Sequence, residues 1–487
     1  MFVRASRWQF KVFDRKIKDE RLARNFLVIN LYLLMFCVPR EVSISNSSKF
    51  DLVIIGAGAA GLMAAASAGS RGLNVLLLEK NRKLGVKILM SGGTRCNITH
   101  NCPSREIVRA FGHQGNFLYS ALAALPPETV IEKIEAQGVE TKIESTGKIF
   151  PVSNRAIDVR DALVVMAEDA GAEIRNLSPV DSIRRTGDAF QISVGGTSDE
   201  QIDCANVLIT TGGKSWPGCG TTGDGYAWAE NFGHSIERTV PALVPILSRC
   251  QWANDLKGIT IEHTGVEVWS KVTGGIADPG IADPDVVAKS GKKKPKKPKP
   301  LSRAKGSFLF THFGFSGPTA LDVSREIALA DNARELELQC DFLPDYKSTK
   351  LLNHLTQRRS QHGKQLVGNL LNDLFPKRLA EGLLIASGVP LDSPNAELSN
   401  EGVERIVRQI KENRFEINGT LGFEKAEVTA GGVCLNEVDS SSMQSKLVNG
   451  LYFAGEVLDL DGPIGGFNFQ SAFSTGWLAG QSVPQMG

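Results

Sequence analysis

The sequence is poor in the features that would mark a metalloprotein, a disulfide scaffold or a membrane span. Its eight cysteines lie far apart along 487 residues, with no CxxC pair and no Cys/His cluster at zinc spacing. That pattern excludes a structural zinc site and points to a reducing compartment, hence a cytoplasmic location. Aromatics make up only 7%. The longest apolar stretch near the start, Phe26 to Val38, is interrupted by Asn30, and a transmembrane helix needs about 20 apolar residues. No net charge of either sign dominates, because the total is +2. Residues 1–50 carry ten basic against four acidic side chains, and Lys289 to Pro300 holds seven lysines, so the remainder is acidic at −11. An acidic body with two basic appendages is not the pattern of a dedicated nucleic-acid binder.

What is abundant is glycine, 49 residues, and it clusters. Residues 1–50 read as an extension, either disordered or an over-long gene start with Met35 as an alternative beginning; a membrane anchor is the second reading. From Asp51, DLVIIGAGAAGLMAAASAGSRGLNVLLLEK runs as strand, glycine turn, alanine-rich helix and second strand. Gly56, Gly58 and Gly61 hold the GxGxxG spacing. The first makes the tight turn, the second lets the backbone approach a pyrophosphate, and the third lets helix and strand pack closely. Ala59 and Ala60 complete the turn. Glu79 ends the second strand about twenty residues on, where it can take up the ribose hydroxyls of an adenosine, followed by Lys80. No arginine stands beside Glu79 to greet a 2′-phosphate.

Two further segments favour FAD over NAD. Val207 to Gly213, VLITTGG, is an apolar strand ending in glycines, with Thr211 and Gly212 at its tip. Asn449 to Gly480 delivers Gly455 and Glu456 at a strand end, then Gly465, Gly466, Phe467 and Asn468 open a helix. An acid at a strand end suits a ribityl chain, and a glycine-opened helix N-terminus stabilises the charge a flavin gains on reduction.

The expected fold is α/β: a discontinuous Rossmann-type FAD domain over 51–240 and 421–487, with a β-rich insert over 241–345 and a small helical subdomain over 346–420. Leu351 to Asn418 has helical spacing throughout. The lysine and proline tract cannot bury a core and reads as a loop.

On the segments KLGVKILMSGGTRCNITH, TGGKSWPGCGTTGDGYAWAENFGH, PALVPI, FTHFGFSGPTALDVSR and GEVLDLDGPIGGFN, the chain resembles the YhiN/BaiN-like flavoproteins, also labelled aminoacetone-oxidase-type FAD-binding enzymes. The resemblance covers nearly everything from Asp51 to Gly480. It implies that Lys87, Ser91, Gly92, Arg95, Cys96 and Asn97 lie along the cofactor, cations near phosphates and the Cys-Asn pair near the ring, with Val180 a further contact. Thr94 stands where many relatives would carry glycine, a change that reads as mild.

The resemblance makes Cys96 and Asn97 catalytic candidates beside the ring; a small buried packing residue is the other reading of Cys96. His312 in FTHFGFSGP is the acid/base candidate, ahead of a Ser316-Gly317-Pro318 helix start; a histidine hydrogen-bonded between two domains is the other reading. The resemblance implies hydride transfer from reduced FAD to an activated carbon–carbon double bond of a small molecule, with NAD(P)H as electron donor. Uracil in ribosomal RNA is the alternative acceptor. An oxygen-dependent amine oxidase and an FAD-stabilised binding protein stay open. Flavin disulfide exchange is disfavoured, since Cys96 and Cys102 are separated by five residues and no second GxGxxG exists.

Overall fold

The computed structural model describes residues 50–195, 200–271 and 299–485. Residues 1–49 and all but the end of the lysine and proline tract lie outside the described residues. Strand Phe50–Ile55 is apolar at five of its six positions and is buried on both faces, as a central strand of a parallel sheet must be. Val75–Leu78 pairs with it in parallel on one side, Leu52 opposite Val75, and Glu200–Ile209 on the other, Leu52 opposite Asn206. Glu173–Arg175 extends one edge.

The long strand Glu200–Ile209 joins the two halves of the split domain. Its first half pairs antiparallel with Ala189–Val194, which pairs in turn with Val180–Thr186. Its second half pairs in parallel with Leu451–Phe453 from the chain's far end. The sheet is thus seven-stranded and completed by a segment whose residues pair with partners 244 positions earlier in sequence, Leu451 with Val207.

All eleven residues of helix Ala59–Gly69 are buried. The sheet covers one side and the C-terminal helix Phe467–Ser482 the other. A Cβ on Gly476 would meet the Ala60 carbonyl oxygen at 2.2 Å, and one on Gly480 the Ala64 carbonyl oxygen at 2.5 Å. The small residues in AAGLMAAASAG and the two glycines one helical turn apart let these backbones touch.

Strands Ile236–Ala242 and Val428–Val433 pair antiparallel and carry the chain into and out of the insert. There a seven-stranded antiparallel sheet is led by Thr260–Ser270 and Ser302–Thr311. Asn413–Glu416 and Gly419–Thr420 are its two edge strands, although helical spacing had extended to Asn418. Phe415, Ile417 and their neighbours alternate inward and outward, and the sheet edge, not local spacing, decides their conformation. Helices Ser348–Gln361, Lys377–Ala386 and Asn400–Lys411 share one hydrophobic core with this sheet, formed by Phe308, Phe310, Phe315, Phe342 and Phe415 with Leu351, Leu383 and Ile406. The helices behind residue 346 therefore cover the sheet and do not build a core of their own. Among the described residues, no helix is long and apolar enough to cross a membrane.

Candidate active site

One cleft of about 790 Å³ opens along the C-terminal ends of the parallel strands, the position at which α/β sheets bind ligands. The glycine turn forms part of its wall. Gly56 has φ +106°, and a Cβ there would lie 2.7 Å from the Thr210 carbonyl oxygen; one on Gly61 would lie 2.0 Å from that of Gly56. Gly58 lines the cleft, and a Cβ there would meet no protein atom within 4 Å. Its bare backbone faces open space at the N-terminus of a fully buried helix, the arrangement that admits a pyrophosphate.

Glu79 is 8% exposed. One carboxylate oxygen accepts the Ala57 N–H at 2.9 Å, the other the Asn81 N–H and amide at 2.8 Å. Lys80 pairs with Asp224 at 2.5 Å and donates to Thr222 at 2.7 Å. Val180, Thr211 and Gly212 line the same cleft. The Thr211 hydroxyl turns away from the cleft and is buried against Gly225.

Helix Val86–Thr94 breaks at Ser91 and Gly92, where φ turns from −71° to +56°. Gly93, Thr94 and Cys96 are also left-handed, at +66°, +69° and +60°. Thr94, a β-branched residue, sits in a conformation that glycine adopts without steric cost, so the substitution is not mild for the backbone. Ser91, Gly92, Arg95 and Asn97 line the cleft. Arg95 is held by Glu144 at 2.7 Å and lies 4.0 Å above the Phe150 ring. With its amide oxygen turned toward Gly466, Asn97 accepts that N–H at 2.9 Å and donates to the Thr99 and Ile149 carbonyls. It therefore ties the broken helix to the start of Phe467–Ser482.

Lys87 and Glu456 form an ion pair with each other. Lys87 also donates to the Ser215 hydroxyl at 2.6 Å, which donates to Glu456 at 2.7 Å, and the Thr429 N–H adds a bond to Glu456 at 2.9 Å. The expected division, cation to phosphate and acid to ribityl, thus gives way to a direct pair. Beside it Glu427 lines the cleft; burial raises its carboxyl above the usual range, Lys87 opposing and Glu456 reinforcing the shift.

Gly455, Gly465, Gly466 and Asn468 also reach the cleft, but Gly61 and Phe467 do not. Gly61 serves packing, and Phe467 stacks on His100 with ring centroids 4.9 Å apart.

Two of the three catalytic candidates, Cys96 and His312, do not line the cleft. Cys96 is fully buried, absent from the cleft wall, and its thiol is pushed up to about 12 by burial, so it cannot act as a thiolate near neutral pH. This placement fits the packing reading of Cys96. His312 is exposed on the hairpin turn between Ser302–Thr311 and Gly314–Ser316, against Phe313, and does not line the cleft. The following helix begins at Pro318 with Gly317 in the capping position and no side-chain cap.

Two groups escaped sequence reading. Lys148, on strand Lys148–Pro151 opposite His100, lines the cleft with Phe150 and has no carboxylate within ion-pair distance among the described residues. Asp322, on helix Pro318–Leu329, accepts the Ile464 N–H at 2.8 Å; burial pushes its carboxyl up to about 6, Lys148 and that N–H offsetting part of the shift. Three residues on, Arg325 pairs with Asp461 at 3.3 Å. Neither GKIFPV nor ALDVSR carries a spacing that marks these residues.

A family model described as HI0933-like protein Rossmann domain matches residues 50–482. The ribosomal RNA dihydrouridine synthase of Escherichia coli (strain K12) is 32% identical over 435 residues, spanning 89% of this chain and 98% of that protein. That of Haemophilus influenzae is 32% identical over 445 residues, spanning 90% and 99%. The 3-dehydro-bile acid delta(4,6)-reductase of Clostridium scindens is 29% identical over 435 residues, spanning 89% and 98%.

Proposed function

Because the chain belongs to the HI0933-like Rossmann-domain family, and because two glycine-opened helix N-termini face one cleft, we propose that it is an FAD-dependent oxidoreductase that reduces a carbon–carbon double bond conjugated to a carbonyl. The juxtaposition of Gly58–Ala60 with Gly465–Gly466 carries the reading. One turn receives a pyrophosphate, and the other offers amides to an electron-accepting ring. The open space at Gly58 fits the cofactor. Relatives named ribosomal RNA dihydrouridine synthase and 3-dehydro-bile acid delta(4,6)-reductase support this reading.

Bound FAD would supply two electrons as a hydride. The remaining work falls to this chain's own groups. As hydride reaches the β-carbon, the electron pair of the double bond moves toward the carbonyl oxygen, and a proton must arrive at the α-carbon. Lys148 is the cation placed to hold that oxygen. Asp322, near enough for Lys148 to act on its carboxyl, adds negative charge on the insert side. The Asn97 bridge fixes the ring-binding helix start. Glu427, with its raised carboxyl, is the acid in the cleft best suited to return a proton. NADH or NADPH serves as electron donor, without a nucleotide fold of its own. The dispersed cysteines, free among the described residues, suit a cytoplasmic enzyme.

Heat release of the chromophore from purified protein should yield FAD at one per chain. Anaerobically reduced protein should be reoxidised faster by a cyclic enone or by unmodified ribosomal RNA than by dioxygen. Fast reoxidation by dioxygen alone would instead mark an oxidase.

A further inference from the structure

Two residues of the cleft wall other than glycine, Trp216 and Leu243, hold a positive φ, +52° and +50°. That conformation is costly for any residue with a Cβ and rare for a bulky one, and such strain persists only where the surroundings over-determine it. Around Leu243 they do. Ala242 before it pairs with Val428, the Val244 N–H after it donates to the buried Ser324 hydroxyl at 3.0 Å, and its own carbonyl oxygen accepts the Glu427 N–H at 3.1 Å. Successive side chains of a strand face opposite sides, yet Leu243 clusters with Val240 and Ala242, and with Val428 and Ala430 of the pairing strand. The left-handed turn brings it to their side. Glycine would make the same turn at lower cost; leucine adds an apolar side chain, 6% exposed, at the edge of the cleft. Ile464, which leads into Gly465, packs on this cluster and lines the cleft too. Its N–H bonds Asp322, on whose carboxyl Lys148 acts, while Glu427 is tied to Leu243. Leu243, Val428 and Ile464 therefore form an apolar wall between the cation and the acid of the cleft.

We propose that Leu243 sets the size of the acceptor: it seats the apolar edge of a flat ring whose carbonyl end meets Lys148, and turns away rings that carry a bulky group on that edge. The inference deepens the reductase reading and takes the nature of the acceptor from it, although its binding test needs no turnover. A truncated side chain at 243 widens the seat, and a larger one narrows it. One methylene gained or lost in such a pocket changes discrimination by about 10- to 200-fold.

The test is binding of phenol and of 4-tert-butylphenol to the oxidised, FAD-loaded full chain, followed by the change in flavin absorbance. Phenol stands in for the acceptor because it sets a polar oxygen on a flat ring without accepting a hydride. Leu243→Ala should raise the affinity for 4-tert-butylphenol relative to phenol at least about tenfold over the parent chain. Leu243→Phe should lower that ratio, and Leu243→Met, of similar volume, should keep it. A side chain that serves packing alone would weaken both ligands alike and leave the ratio where it was. An unmoved ratio in Leu243→Ala overturns the proposal, as does a parent chain whose flavin responds to neither phenol; should Leu243→Phe lose its FAD, the alanine variant decides. Reoxidation of the reduced parent by cyclohex-2-enone reports on the reductase reading separately: a parent that no acceptor reoxidises sinks that reading, while a shifted phenol ratio keeps the wall.

Discussion

Lys148 concentrates the chemistry at the residue scale. It lines the cleft beside Phe150, and its charge acts on the half-buried Asp322 of the insert. Replacing it by methionine keeps the aliphatic stem but leaves the developing charge on the carbonyl oxygen unmet. Lys148→Met should slow the half of the cycle in which reduced flavin is reoxidised by substrate by about 10²-fold, the usual loss for one such donor. Flavin content should be unchanged, and stopped-flow reoxidation reads the effect. Cys96→Ala and His312→Ala should each keep reoxidation rates within about twofold of the parent, since one side chain is buried away from the cleft and the other is exposed outside it. Thr94→Gly should stabilise the fold by about 1 kcal/mol by removing a β-branched side chain from φ +69°; a denaturant midpoint that falls instead would show that the Thr94 hydroxyl bond to Gly93 outweighs the strain. The resemblance singled out Thr94 as a departure from glycine, but only the backbone angle shows the cost.

At the scale of elements, helix Pro318–Leu329 is the joint between insert and cleft. Asp322 bonds the Ile464 N–H and Arg325 meets Asp461, both on the loop leading to Gly465. The Asp322 carboxyl, raised to about 6 from near 3.8, favours its protonated form in the folded state. The stability it contributes is therefore fully present below about pH 4 and is lost as pH rises toward 6. Asp322→Asn keeps the acceptor for Ile464 and removes the buried charge. Its melting temperature should exceed that of the parent at pH 8, by the equivalent of at most about 3 kcal/mol, and the gap should close by pH 4. A gap that ignores pH would mean that Asp322 does not titrate in this window.

The same scale shows what was readable from sequence. The strand-turn-helix units at Gly56–Gly61 and Gly465–Gly466 were legible because their glycines answer local demands: a positive φ, a close backbone approach, a helix start. Strands 413–416 and 419–420 were not, because their conformation is set by pairing with Leu336–Asp341 and Ile246–Leu247, partners more than seventy residues distant. Lys87 and Glu456 were each legible as site residues, whereas their mutual pairing depends on a fold that joins positions 369 residues apart. Lys148 and Asp322 belong to the same class, ordinary residues in ordinary stretches until two domains bring them to one cleft.

At the scale of the whole molecule, a split α/β domain holds the cleft and a single-core insert stands over it through paired connectors. The match of the family model to residues 50–482 bears out the resemblance to YhiN/BaiN-like flavoproteins. The lysines of 289–299 lie outside the described residues but for the last; on sequence alone, if RNA is the substrate, their deletion should weaken its salt-dependent binding. The most direct test of the central claim is a single turnover: FAD-loaded protein is reduced without oxygen, mixed with excess unmodified ribosomal RNA or a cyclic enone, and the product is analysed by mass. One acceptor molecule gaining two hydrogens per reduced flavin is the predicted result. Flavin that reoxidises only on admission of oxygen, with every acceptor recovered unchanged, would contradict it.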